Sequence, residues 1–177
     1  MKITNKFLIT VPIAEVWDVM FNPFNIGKTF PGCEHVEVID ENTILSLVTV
    51  KIECLKARFK LISQIKEQHS PLHIRTDTTW EGQRLIGRVT QTTTLDLHAL
   101  NDRSTEVAIA SELNITGTLA NLGRMILRAK IESLTEEWIQ SIKALIEELY
   151  RPVEKAITVV DTHGWDAGYT DLNRIGD

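Results

Sequence analysis

Groups capable of acid, base or metal chemistry are present in this sequence but spread out. None of His35, His69, His73, His98 and His163 falls on a predicted helix, so no pair has the helical i, i+4 arrangement of a zinc site, and no Cys-x-x-Cys is present. Neither a metal nor another cofactor is expected. His73 and His98 read as solvated strand residues. Cys33 follows Pro31-Gly32 and reads as a small buried hydrophobe, reactive only if exposed. The acids Glu53, Asp77, Asp96 and Glu112 fall on the outward parity of predicted strands, and the helix acids lie off the apolar stripe. An acid and base facing each other in a pocket are therefore not expected, and no catalytic residue is assigned.

The opposite strand parity is apolar with a thin scatter of neutral polar groups. Val48, Val50, Ile52, Phe59, Leu61, Ile65, Leu72, Ile74, Trp80, Val89, Leu95, Leu97, Val107, Ile109, Leu113 and Ile115 share it with Ser46, Ser63, Thr76, Thr78, Gln91, Thr93 and Ser111. A surface of this kind suits a neutral hydrophobic molecule whose carbonyl or hydroxyl needs one or two partners. It equally suits Thr and Ser that simply tolerate half-buried strands. The candidate cavity residues are Val48, Val50, Phe59, Leu61, Ile74, Thr76, Trp80, Gln91, Thr93, Leu95, Ile109 and Ser111.

The elements that place this face can be read from periodicity. Ile3, Asn5, Phe7, Ile9 and Val11 alternate with Thr4, Lys6, Leu8 and Thr10, the period of a half-buried strand. Pro12 opens a short helix that Asn22-Pro23 stops, and a second short piece ends at Pro31-Gly32. From Cys33 to Thr116 breaks at 40–42, 55–56, 69–71, 81–83 and 101–103 divide six strands, joined by turns short enough to make them antiparallel neighbours. One long helix, about Thr118 to Tyr150, carries the stripe Leu127, Ile131, Leu134, Trp138, Ile142, Leu145 and Leu149. The expectation is an α+β domain over residues 2–150 and an irregular tail over 151–177. A single stripe cannot fill the concave side of a seven-stranded twisted sheet, so an internal hydrophobic cavity is expected between them.

Composition narrows the function classes. The chain has 177 residues, 43% hydrophobic and 24% charged, enough to bury a core without a disulfide or metal staple. Its net charge of −5 sits almost wholly beyond residue 131, so the basic footprint of a nucleic-acid binder is missing. Two cysteines and an N-terminus without a long apolar segment point to a reducing cytoplasm, with no membrane span.

Three local motifs carry a resemblance: Val11-Pro12-Ile13-Ala14-Glu15-Val16-Trp17, Phe30-Pro31-Gly32-Cys33-Glu34, and Gly117-Thr118-Leu119-Ala120-Asn121-Leu122-Gly123. At these spacings, over about residues 2–150, the chain resembles the carbon monoxide dehydrogenase CoxG family of the START-like (SRPBCC) helix-grip superfamily. The resemblance implies a helix-grip fold and a non-enzymatic carrier of a hydrophobic ligand, with an isoprenoid quinone the leading case. It also implies an accessory role to a molybdenum hydroxylase. That family is usually glycine-rich in strands three and four and the next hairpin; here Val50-Lys51-Ile52-Glu53-Cys54, Phe59-Lys60-Leu61 and Trp80-Glu81-Gly82-Gln83-Arg84 stand instead. Inward bulk there would shrink or reshape a cavity.

Leu119, Leu122 and Ile126 share a helical face rotated roughly 120° from the main stripe, with Arg124, Arg128 and Lys130 nearby. That patch reads as a cavity gate, a transient membrane-surface contact or a partner face, or else as the result of a helix that begins or kinks near Gly123. The expected partners are a hydrophobic small molecule and an oxidoreductase complex, with no nucleic acid, in a cytoplasmic protein peripheral to the inner face of the membrane. Two alternatives are an aromatic polyketide cyclase or dehydratase, which needs an ionisable group in the cavity, and an interaction module whose cavity is vestigial.

Overall fold

The computed structural model describes residues 1–82 and 86–150. Gln83 and Arg84 of the hairpin motif, residue 85 and the tail 151–177 lie outside them.

Strand β1 (Lys2–Ile9) buries Ile3 and Ile9 and turns Thr4, Lys6 and Leu8 to solvent. Helix α1 (Ile13–Met20) starts at Pro12 and buries Val16, Trp17, Val19 and Met20. Helix α2 (Pro23–Thr29) has Pro23 in its first turn, and the Asn22 side chain accepts the Phe24 N–H at 3.0 Å. Six strands follow: β2 (Cys33–Asp40), β3 (Thr43–Ile52), β4 (Leu55–His69), β5 (His73–Gly82), β6 (Arg88–Asn101) and β7 (Ser104–Thr116). They form one seven-stranded sheet in the order β1-β7-β6-β5-β4-β3-β2, antiparallel throughout.

Two local expectations are corrected. The β3–β4 turn lies at Glu53-Cys54 rather than Leu55-Lys56, because Glu53 itself takes the left-handed conformation (φ 52°) that glycine or asparagine usually marks. Leu72, expected inward, is 55% exposed. It belongs to the turn before β5, where its N–H donates to the His69 carbonyl at 2.7 Å.

The predicted helix over 118–150 is in two pieces. Gly117 (φ 79°) lets the chain leave β7 against the β5–β6 connection, where a Cβ would stand 2.5 Å from the Gly87 Cα. A 3₁₀ segment (Gly117–Leu122) comes next, then Gly123 at φ 89°, then helix α3 (Arg124–Leu149), whose 26 residues span about 39 Å. Leu119, Leu122 and Ile126 are therefore not one helical face: Leu119 points inward from the 3₁₀ turn and is 2% exposed. No atom lies within 4 Å of a Cβ built on Gly123. Gly123→Ala is expected to cost about 1 kcal/mol through backbone conformation alone, read as a lower urea midpoint; an unchanged midpoint would contradict it.

The interior is divided in two. One apolar cluster joins α1 to Ile74, Leu95, Leu97, Val107 and Ile109 under Ile139, Ile142 and Ile146 of α3. The other joins Ile3, Val48, Val50, Ile52, Phe59, Leu61, Val89 and Leu113 under Leu119 and Leu127. The apolar face of α3 is accordingly wider than the predicted stripe. It includes Ile139 and Ile146 where the helix also meets α1, and it ends before Leu149, which is 58% exposed.

Candidate functional site

Between the two clusters runs a polar band across the inner face of the sheet. Asn5 lies between Ile3 and Phe7 on β1, Ser111 between Ile109 and Leu113 on β7, and Gln91 and Thr93 between Val89 and Leu95 on β6. Thr76 and Thr78 continue it on β5 and Ser63 on β4; the register sets Ser63 opposite Thr78, Thr78 opposite Gln91, and Thr93 opposite both Thr76 and Ser111. Buried hydroxyls and amides must find partners, and most of these find one another. Ser63 and Thr78 share a hydrogen bond of 2.9 Å. The indole N–H of Trp80 donates to Gln91 Oε1 at 3.1 Å, and Gln91 Nε2 donates to Thr93 Oγ1 at 2.8 Å and to Ser111 Oγ at 3.3 Å. Thr93 and Ser111 are themselves 2.9 Å apart.

Asn5, Gln91 and Ser111 of this band are the floor of a pocket of about 110 Å³ under the first half of α3. Ile3, Val50, Ile52, Val89, Ile109, Leu113 and Ile115 wall it from the sheet, and Leu119, Leu127, Ile131, Leu134 and Thr135 close it from above. Three aromatic rings form one side. The Trp80 ring meets Phe59 edge-on at 5.9 Å and Phe30 at 6.1 Å. Lys130 lines the pocket and also an adjoining cleft formed by Ile52, Glu53, Met125, Ile126, Ala129 and Ser133. That cleft shares Ile52 and Lys130 with the pocket. Met125, on its rim, is 83% exposed.

Of the candidate cavity residues, Val50, Phe59, Trp80, Gln91, Ile109 and Ser111 line this pocket. Val48 and Leu61 do not; they are packed solid in the cluster beside it. Ile74 and Leu95 belong to the other cluster, beyond the polar band. Thr93 stands behind Gln91 and orients it, and Thr76 lies one step further along β5. The gate residues also separate. Leu119 is part of the pocket wall, Leu122 packs against the same cluster, and Ile126 borders the adjoining cleft. Arg124 faces a polar hollow on the other side of the sheet edge with Lys2 and Glu112, and Arg128 is paired with Glu132 at 2.8 Å along the helix.

Sequence reading did not place three polar residues of the lining in the pocket: Asn5, Thr135 and Lys130, the last noted only beside the Leu119 patch. Asn5 had the correct parity, but an isolated amide on a first strand gives no signal of its own. Its side chain makes no hydrogen bond with any described residue, unlike its neighbours in the band. Its amide atoms are not among the buried unpartnered ones, so what an apolar replacement gains is contact with the pocket walls, on the order of 1 kcal/mol. Asn5→Leu is therefore expected to raise stability by about 1 kcal/mol, measured by urea denaturation; a loss would contradict this reading of Asn5.

Among the described residues, the other ionisable groups lie outside the pocket lining. His73 Nδ1 is 2.5 Å from Asp96 Oδ1, and Arg75 pairs with Glu67 at 3.1 Å. Glu34 is held below the usual carboxylate range first by the Thr49 hydroxyl, 2.6 Å away, and then by Arg58. Burial pushes the Cys33 thiol up, which disfavours its thiolate.

A profile of the carbon monoxide dehydrogenase CoxG family matches residues 6–147. The chain belongs to this family. No curated protein matches it. Among solved structures, a conserved protein from Geobacillus kaustophilus is similar with a TM-score of 0.78 at 21% identity, covering 84% of this chain and 96% of that one. The ZhuI aromatase/cyclase from Streptomyces sp. R1128 follows at 0.68 and 12% identity, covering 87% and 98%. A START superfamily protein from Mycobacterium smegmatis stands at 0.64 and 9%, covering 84% and 98%. At these identities the likeness is one of fold: this CoxG-family chain has the START-like helix-grip architecture. Two of the three motifs that suggested the family reach its pocket, Phe30 supplying an aromatic wall and Leu119 part of the roof, while Val11, Val16 and Trp17 of the remaining one pack in the other cluster. Where glycines are usual for the CoxG family, Val50, Ile52, Phe59 and Trp80 point inward and bound the space. Among the described residues, no helix is long and apolar enough to cross a membrane.

Proposed function

We propose that this CoxG-family protein binds and carries a hydrophobic small molecule between its sheet and α3, without catalysing a reaction on it. The observation that carries the reading is the pocket itself: apolar walls, three aromatic edges and a hydrogen-bonded polar floor at one end. A pocket of this size takes a single ring; an engineered cavity on the order of 150 Å³ accommodates benzene. An isoprenoid quinone is the first candidate occupant, with its ring on the Gln91–Ser111 floor and its tail leaving across Ile52, Met125 and Ile126. The family's description favours an accessory role to a carbon monoxide dehydrogenase-type molybdenum hydroxylase; transient contact at a membrane surface, in the cytoplasm, is part of the same proposal.

A cyclase or dehydratase reading draws on the fold shared with the ZhuI aromatase/cyclase. It requires a group in the pocket to move protons, and the described lining offers Lys130 but no Asp, Glu, His or Arg beside Gln91 or Ser111. Solvent extraction of freshly purified protein, followed by titration with quinones of graded tail length, tests the carrier reading. A bound hydrophobe and saturable quinone binding are expected. Absence of both would contradict it.

A further inference from the structure

Lys130 is the one ionisable side chain among the described residues of the pocket lining, and it lines both the pocket and the adjoining cleft. No described carboxylate comes within 4.0 Å of its ammonium, although Glu53 borders the same cleft. The stretch of α3 around it, Arg124 to Lys130, contains three cations and no acid. Asn5, the second polar group of the lining without a partner among the described residues, adds a neutral donor. Gln91 and Ser111 differ from these two, because their donors and acceptors are largely committed to Trp80, Thr93 and each other.

We infer that this pocket prefers a hydrophobe ending in a carboxylate or another oxyanion over its neutral counterpart, with Lys130 pairing with the charge. The inference rests on the reading of the pocket as a ligand site, and it names a class within that reading. A neutral carbonyl satisfies Asn5. An oxyanion pairs with the ammonium more strongly than a neutral acceptor does, and a charge entering an apolar space must be paired there. The competing role for Lys130 is a purely apolar one, its methylene stem covering the pocket while the ammonium stays in water.

Substitution by methionine separates the two roles, because it keeps an unbranched stem and removes the charge. Benzoate and nitrobenzene are flat, of equal size, and differ in charge at pH 7. Isothermal titration of the full chain with each is expected to show Lys130→Met weakening benzoate about tenfold, the scale of one charge-assisted hydrogen bond, and leaving nitrobenzene within about twofold. If the variant weakens both equally, or neither, while nitrobenzene still binds, the preference for an oxyanion is overturned and the pocket reading stands. If neither compound binds the unaltered protein, both fall together.

Discussion

Ile131→Trp is expected to abolish ligand retention and leave the fold in place. Ile131 is half-buried and hangs from α3 into a pocket of about 110 Å³, so an indole in place of its sec-butyl group takes up much of the space a ring would occupy. Overpacking of this kind typically costs about 1–3 kcal/mol, within the reserve of a domain with about 5–15 kcal/mol of net stability. Affinity for a single-ring hydrophobe should fall on the order of 100-fold, because contacts with the Phe30, Phe59 and Trp80 side are lost together. Far-ultraviolet circular dichroism and a thermal scan check the fold, and titration with a quinone checks the site. A variant that folds and binds normally would mean that ligands sit elsewhere.

Ile142→Ala is expected to give the opposite division, a large loss of stability with binding intact in the folded fraction. Ile142 is fully buried between α1 and the sheet in the cluster beyond the polar band, where no pocket wall can relax into the cavity it would leave. Deletions of this kind cost about 2–5 kcal/mol, or roughly 4–20 °C in midpoint for a domain of this size. Leu149→Ala, at the exposed end of the stripe read from sequence, should change stability by less than about 0.5 kcal/mol. Equal effects of the two substitutions would contradict the helix orientation described here.

These contrasts mark what periodicity conveys and what it omits. The seven strands and their faces were legible because alternation has a period of two and the short turns leave only antiparallel neighbours. The turn at Glu53-Cys54 was not, since a glutamate in the left-handed region gives no compositional cue. The break at Gly123 was one of two readings of the Leu119–Ile126 segment. The spacing alone did not choose between them; the glycine's positive φ does.

The site was half legible for a different reason. Parity placed Gln91, Thr93, Ser111, Thr78 and Ser63 on the inner face, yet along the sequence they look scattered. Only the register across β4, β5, β6 and β7 lines them into one band, and the hydrogen bonds from Trp80 to Ser111 follow from that alignment. Lys130 was read only as a flank of the Leu119–Ile126 patch, because a lysine beside an apolar helix stripe is common and its place at the pocket depends on where α3 crosses the sheet. The same crossing explains why Ile74 and Leu95, apolar and inward, stand outside the pocket: the polar band cuts them off from it.

The central claim is that a hydrophobic molecule occupies the space between the polar band and α3. Native mass spectrometry of freshly purified protein, unaltered and as Ile131→Trp, tests it most directly. The unaltered chain should carry an added mass that organic solvent removes, and the folded variant should not. The same added mass on both proteins, or none on the unaltered chain even after incubation with quinones, would contradict the claim.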